Sequence, residues 1–528
     1  MLVRTDPLGG SPLSIAARAG ELPQWYPPVP RGAAAWTAHA RAVTESVSTR
    51  WLDELAPAIS AQGEAAKRLE RSAGGKGVVV TTGQQPGLFG GPLMTLVKAL
   101  AARALADVLE EVLGRPVAPV FWGATDDADF DEATVVSVAL DGGARELKLE
   151  QRPPAGTPVA RALIGPEIER LAPVLLEACG SAPHRSYVER ALAAYQTGAT
   201  IGGAYVALLR DVLQPLGIAV LDVSDPSVTR AAAPVLRRAA VEARGVVIEL
   251  AQRSREIAAA GFRPQVDEVP GLSLVFLNDH GVKRRLPLPE ASALREREPA
   301  GESFLSSTVL LRPVIERAML PTVAYLGGPG EIAYFAQVSA VADAVGVPRP
   351  LVLPRWSTTV IEPRIQRILD ELGGVTADAL ADVHAVEARL ARARLTPGAE
   401  RALRALHDDL ANDVGRLQSA SDGLVPATVL DGLRRSLAHR LERLERRFLA
   451  AVKRREAETM RKLATARGAL YPGGIRQERA LAFIPLVARY GPALIDEMLE
   501  AAHAHARALV TDASRISASA SVPPPARV

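Results

Sequence analysis

Twice in this chain an apolar, largely β-branched run ends in a cluster of glycines and passes straight into an apolar helical stretch: VVVTTGQQPGLFGGPLMTLVKAL at 78–100 and TVAYLGGPGEIAYFAQV at 322–338. A strand that is apolar on both faces needs cover on both, and a helix that follows it directly supplies that cover. Candidate strands of this kind are Gly77–Thr82, Val117–Gly123, Ile218–Val223, Thr322–Leu326 and Pro350–Leu353, each closed by Gly, Asp or Pro. The expected fold class is therefore α/β, a Rossmann-like, doubly wound parallel sheet. Ligands of such sheets bind beyond the carboxyl ends of the strands. The unusual polar residues collect there: GQQPGLFGGP, DDADFDE, DPS, GGPGE and Arg355.

At 528 residues the chain exceeds a single core. A core over 1–361 is expected to carry two inserted subdomains. One, about 155–215, reads as helices; the other, about 227–320, opens with helices and continues through LSLVFLND and KRRLPLP as a small β element. Residues 362–465 read as an antiparallel coiled-coil arm. One seam is expected at Leu403, Leu406, Leu410, Val414 and Leu417, the other at Leu437, Leu441, Leu444, Phe448 and Ala451, with SASDGLVP as the break. Residues 466–511 are expected to pack back on the core, and 512–528 to be a disordered tail.

The formal charge of +3 gives no general case for a polyanion partner. The second arm is basic, but Glu442, Glu445, Glu456 and Glu458 interleave with its arginines and no stacking aromatics do, so nucleic acid is not expected. The single cysteine, Cys179, excludes an internal disulfide and reads as a buried, inert thiol. MLVRTDPLGGSPL lacks a secretory apolar region and no long uncharged apolar run occurs, so a cytoplasmic protein without a membrane partner is expected.

Gly83, Gly87, Gly90 and Gly91 match neither GxGxxG nor GxxxxGK[ST]. A glycine-rich turn into a helix that starts near Pro92 still favours an anion at the helix N-terminus. Lys98 can reach back toward such a ligand, and Gln84 and Gln85 can orient a polar one; the alternative is a tight structural turn. Beyond Trp122, the acids Asp126, Asp127, Asp129, Asp131 and Glu132 suit binding of Mg²⁺, orientation of an amine or a general-base role, against a merely solvated, helix-capping loop. We read them as substrate-binding, with no dedicated metal cage. In the second glycine loop, Gly327, Gly328 and Gly330 allow close approach of a ligand, and Glu331, Tyr334 and Gln337 fall roughly on one helix face. Arg312 and Arg355 are candidate carboxylate or phosphate clamps, with structural salt bridges as the alternative. His503 and His505, two residues apart, point to different helix faces and are discounted as a metal pair. No Ser/His/Asp or Cys/His set is assignable.

Taken in order, GQQPGLFGGPLMTLVK, FWGATDDADFDE, GIAVLDVSDP, LLRPVIERAMLPTVAYLGGPGEIAYFAQ, PLVLPR and LYPGGIRQER resemble the cysteine-adding enzymes of bacillithiol biosynthesis, the BshC family. The resemblance covers nearly the whole chain. It implies a core similar to class I aminoacyl-tRNA synthetases, helical connecting subdomains and a coiled coil used for homodimerisation. It implies the final step of the pathway, joining L-cysteine through an amide to the amino group of glucosaminyl-malate. The free amine is then expected near Asp126, Asp127 and Asp129, of which Asp127 and Asp129 are taken as the catalytic carboxylates. The substrates would be received by Gly83, Gln84, Gln85, Gly87, Lys98, Trp122, Arg312, Gly328, Gly330, Glu331, Tyr334, Gln337 and Arg355. The resemblance also implies a second, nucleotide-occupied pocket between core and coiled coil, to which Tyr471, Gln477 and Arg479 are assigned. ATP or ADP and Mg²⁺ are admitted as cofactors, and the activating group is left open, because no HIGH or KMSKS motif occurs. The sequence departs from the family at Ala128, where the usual E-D-H-D-F pattern carries histidine. Two rival readings are a non-catalytic nucleotide- or amino-sugar-binding protein of the same fold, and a coiled-coil scaffold with RNA contact.

Overall fold

The structure, a computed structural model, describes residues 1–295 and 303–511; the tail expected at 512–528 lies outside the described residues. Five strands form the central sheet: β1 (Val78–Gln84), β2 (Val117–Gly123), β3 (Ala219–Asp222), β4 (Thr322–Gly327) and β5 (Val352–Pro354). Their order is β5-β4-β1-β2-β3, and all neighbours run parallel. Each candidate strand is present, shifted by at most two residues at either end. The chain runs outward from β1 through β2 to β3, then returns to β4 on the other side of β1. The topological switch therefore lies between β1 and β4, where a crevice opens beyond the strand ends.

Alternation along β1 explains the two-sided cover. Val78 and Val80 pack into the cluster that includes Leu96, Val97 and Leu100 of helix α1 (Leu93–Leu113). Val79 faces the other way, into the cluster with Phe335, Val338 and Val341 of helix α2 (Pro329–Ala344). Helix α1 ends at Gly114, which adopts the left-handed conformation of a helix C-cap.

The first insertion is helical, Ile168–Cys179, Ser186–Ala194 and Ile201–Leu213. The second begins with helices Pro226–Val241 and Ala243–Ala259. It continues as an antiparallel sheet with Leu272–Asp279 between Val282–Pro287 and Phe304–Ser307. Two features are absent from the sequence reading. Leu2–Thr5 pairs with Thr358–Ile361, and Val135–Leu140 forms a hairpin with Gly143–Lys148. Both escape a search for fully apolar strands, because Leu2–Thr5 is short and partly exposed and Gly143–Lys148 is mostly polar.

Helices α3 (Pro397–Ala420) and α4 (Ala427–Arg455) form the antiparallel arm. Leu403 and Val414 of α3 and Leu430, Leu449 and Val452 of α4 are buried, whereas Leu406, Leu417, Leu444 and Phe448 are exposed. The seams assigned from sequence are thus only partly buried within the chain: two helices cover a narrower stripe than these apolar positions span. The arm also has more breaks than SASDGLVP, since separate helices Pro363–Glu371 and Val383–Arg392 precede α3. Helix α5 (Ala457–Leu470) returns to the core against the 135–148 hairpin. Gly468 is required there: a Cβ on it would lie 2.2 Å from the carbonyl carbon of Gly143. Helix α6 (Ile484–Thr511), kinked at Gly491 (φ 55°), lies along α1. Among the described residues, no helix is long and apolar enough to cross a membrane. Cys179 is buried, and burial pushes its thiol pKa up to about 11.

Candidate active site

A cavity of about 570 Å³ opens at the switch point. On its wall the two glycine-loop helices are tied together. Lys98 of α1 donates to the Gly83 carbonyl (2.7 Å) and to Glu331 Oε2 of α2 (2.7 Å). Glu331 also accepts from the Gly328 N–H (2.7 Å) and from the Tyr325 hydroxyl. Burial opposes the charge on both partners. It prevails at Lys98, whose pKa falls; at Glu331 the Lys98 charge and the hydrogen bonds outweigh it and hold the carboxyl below its ordinary range.

Beside this pair, Arg312 donates to Glu316 (2.8 Å) and to the hydroxyls of Tyr325 (3.3 Å) and Tyr334 (3.2 Å), with its guanidinium over the Trp122 and Tyr325 rings. Glu316, buried and also accepting from Thr81, has its pKa raised because desolvation outweighs the pull of Arg312. Arg312 is thus on the cavity, but its strongest partner is a carboxylate of the protein.

The acidic loop after β2 divides its acids between separate tasks. Asp126 receives Lys283 Nζ (3.2 Å), a residue of the inserted sheet that also donates to the Asp126 carbonyl (2.8 Å). Asp127 accepts from Gln85 and from the backbone N–H groups of Ala128 (2.7 Å) and Asp129 (3.1 Å). Asp129 caps the short helix Phe130–Ala133, accepting from the Glu132 N–H (3.1 Å), and lies off the cavity; Asp131 pairs with the exposed Arg152. Glu132 lines the cavity. The residue as a whole is exposed, but partial desolvation on the cavity side first, then the neighbouring charges of Asp129 and Asp127, raise its pKa. Of the two carboxylates expected to be catalytic, Asp127 lines the cavity and Asp129 is engaged as a helix cap, where Glu132 reaches the cavity instead.

Gly83, Gln84, Gln85, Lys98, Trp122, Asp126, Asp127, Arg312, Gly328, Gly330, Glu331 and Tyr334 are brought together on this cavity. Other nominated residues are not. The Gly87 carbonyl accepts from the Tyr195 hydroxyl (2.7 Å), which in turn accepts from the Gly90 N–H (3.1 Å), so this half of the loop is a structural turn. Gln337 is buried and exchanges both amide bonds with the Val266 backbone (3.0 and 2.8 Å). Arg355 does clamp a carboxylate bidentately, but that of Glu478 (2.7 and 3.0 Å), and it is 1% exposed. The helix N-termini are also engaged: Leu93 N–H donates to the Leu481 carbonyl (2.7 Å), and Glu331 occupies the Gly328 N–H.

The residues assigned to a nucleotide pocket stand apart. Gln477 is buried, with its amide bonded to Val360 and Ala469 backbone groups; Tyr471 packs beside the cluster between core and arm; Arg479 lies on the main cavity. Gln477 spends both amide N–H groups on the protein backbone and is 1% exposed, while Arg479 turns to the main cavity. Among the described residues, no group of three or more His, Cys, Asp or Glu could hold a metal ion. His503 faces Asp107 and His505 faces the Pro354 carbonyl.

Sequence reasoning missed Lys283 and Arg285. The alternation in VKRRLP places these two residues on one face of a strand, which is the signal that could have found them. No sequence signal shows that this face closes over the β2 loop.

Known sequence families account for most of the chain. The family described as bacillithiol biosynthesis BshC, N-terminal Rossmann-like domain, matches residues 33–356, and the BshC C-terminal coiled-coil domain matches residues 358–508. A protein of Solibacter usitatus named "Putative cysteine ligase BshC" is 34% identical over 84% of this chain and 87% of its own length. Proteins of the same name from Koribacter versatilis and Salinibacter ruber are 32% and 29% identical, over 84% and 80% of this chain and 85% and 80% of their own lengths.

Proposed function

This chain belongs to the BshC family of bacillithiol biosynthesis, and from that premise we propose that its switch-point cavity is the active site of a cysteine ligase, joining L-cysteine to the amino group of glucosaminyl-malate. The observation that carries this reading is the pairing, on one cavity, of a poised acid-base group with an oriented carboxylate. Glu132 has a raised pKa and Asp127 is fixed by Gln85 and two backbone N–H groups. Asp127 holds the amine of the sugar. Glu132 takes the proton that the amine loses as its nitrogen forms the amide bond to the cysteine carbonyl carbon. The bond that breaks joins that carbon to one carboxyl oxygen, which leaves as water with the proton that Glu132 returns or, where the carboxyl has been activated beforehand, together with the activating group.

The group that activates the cysteine carboxylate, ATP with Mg²⁺ or another, is left to experiment. Mass spectrometry of protein incubated with glucosaminyl-malate and L-cysteine, with and without ATP and Mg²⁺, tests the reading and identifies the activating requirement. A product at the amide mass that Glu132→Gln abolishes supports it. Binding of glucosaminyl-malate without product under every condition would leave a non-catalytic binding protein instead.

The exposed Leu406, Leu417, Leu444 and Phe448 on the arm support a homodimer through α3 and α4. The arm's charges are partly internal, Arg392 with Glu445, Lys453 with Glu387 and Arg434 with Asp431, and apart from Phe448 no aromatic side chain interleaves with its arginines to stack on bases, which favours this over RNA.

A further inference from the structure

Five cationic side chains reach the cavity: Lys98, Lys283, Arg285, Arg312 and Arg479. Three are neutralised by protein carboxylates, Lys98 by Glu331, Lys283 by Asp126 and Arg312 by Glu316. Arg479 is exposed and retains its water. Arg285 is different. It is partly buried on the inserted strand Val282–Pro287, and among the described residues no carboxylate lies within ion-pair range of it. Its one hydrogen bond runs from Nε to the Ser273 carbonyl (2.6 Å), which fixes the side chain and leaves the terminal guanidinium nitrogens uncommitted. A partly desolvated cation without a counter-ion is costly unless something else supplies the charge.

The surroundings fit an anion. Arg285 and Thr308 both border the cavity and an adjoining pocket of about 80 Å³, and the Thr308 hydroxyl is buried without a partner. Asp267 and Glu268 border the small pocket, but neither pairs with Arg285. Arg285 sits opposite Phe276 in the strand register, and Phe276 also lines the cavity and lies under the Lys283 ammonium. The carboxylates of Asp127 and Glu132 belong to another wall, formed by the loop after β2.

We infer that Arg285, assisted by Thr308, is the anchor for a carboxylate of the acceptor substrate, and so a specificity-determining residue of this site. The inference rests on the ligase reading of the cavity. Two parallel guanidinium N–H bonds would hold the carboxylate, which a lysine at the same position could not reproduce. The acidic wall would receive the amine of the same molecule and repel its carboxylate, so the two ends could not exchange places.

The test begins with calorimetric binding of L-malate alone to the wild-type chain and to Arg285→Gln, Arg285→Lys and Thr308→Val, each checked for an unchanged melting profile. It continues with kinetics on glucosaminyl-malate and on methyl glucosaminide, which has the amine but no carboxylate. The expected result is malate binding lost in Arg285→Gln and weakened in Arg285→Lys and Thr308→Val. KM for glucosaminyl-malate should rise about tenfold or more, with KM for cysteine and turnover of methyl glucosaminide unchanged. Equal losses on both acceptors, a rise in the KM for cysteine instead, or undiminished malate binding in Arg285→Gln would overturn the anchor. If the wild-type chain binds malate, Arg285→Gln loses that binding and no amide forms, the ligase reading fails while the anchor stands. If amide forms and Arg285→Gln retains its KM, the anchor fails while the ligase reading stands.

Discussion

The Lys98 ammonium lies 2.7 Å from a carboxylate oxygen of Glu331, and this ion pair joins the helices that follow two adjacent strands, β1 and β4, across the switch point of the sheet. Lys98 also holds the Gly83 carbonyl and Glu331 the Gly328 N–H, so one pair sets the geometry of both glycine loops. Its first role is to build the wall of the cavity.

Replacing Lys98 by methionine leaves Glu331 largely buried without its cation. Loss of one partner from such a pair costs about 3–5 kcal/mol, and urea denaturation of Lys98→Met should show a loss of that order. Lys98→Met with Glu331→Gln should recover part of it, because the stranded charge is gone. An unchanged midpoint in Lys98→Met would mean that the pair does not organise the loops.

Glu478 links the segment after α5 to Arg355, Ser357 and Thr358. Burial works against its charge, but Arg355 and these hydrogen bonds hold its pKa below the ordinary 4.5. The folded state therefore binds this proton more weakly than the unfolded state. The contribution is present above about pH 4.5 and is lost as pH falls through the lower folded pKa. Stability measured against pH should be flatter in this acid window for Glu478→Gln; an identical profile would contradict the assignment.

If Glu132 is the base, the rising limb of kcat/KM should lie above the ordinary carboxylate value of 4.5, because partial desolvation and the charges of Asp129 and Asp127 raise its pKa. Glu132→Gln should remove the limb and lower kcat by about 10²–10⁴. Ala128→His, on the same wall, should change kcat by less than about tenfold if Glu132 carries the proton. A large gain would show instead that the imidazole is the missing base.

Gly90 has φ +86°, and a Cβ there would lie 2.8 Å from the Phe483 ring. Gly90→Ala should therefore destabilise the chain by about 1–3 kcal/mol and loosen the turn that Tyr195 fastens. A thermal melt equal to wild type would show that the loop accommodates the methyl group.

Leu417→Glu and Phe448→Glu place charge on apolar positions that the isolated chain leaves exposed. Light scattering after size exclusion should give a dimer for wild type and a monomer for the double variant, with its melting profile retained. A wild-type monomer at micromolar concentration would remove the proposed role of the arm.

The sequence by itself determined the sheet and where its chemistry collects. Five apolar runs need cover on both faces, and polar residues at their carboxyl ends have one crevice to enter; both requirements are local and periodic, so they are written in the order of residues. It did not determine which of those polar residues are free. Arg355, Gln337 and Gln477 look like ligand groups in the chain, yet each is consumed by a partner 123, 71 or 117 positions away. Conversely, Lys283 and Arg285 look like an ordinary polar strand face until the inserted sheet folds over the β2 loop and sets Lys283 against Asp126, 157 positions earlier. Whether a charge is neutralised or left to meet a substrate depends on what the fold brings within about 4 Å of it, and that proximity arises only when distant segments pack.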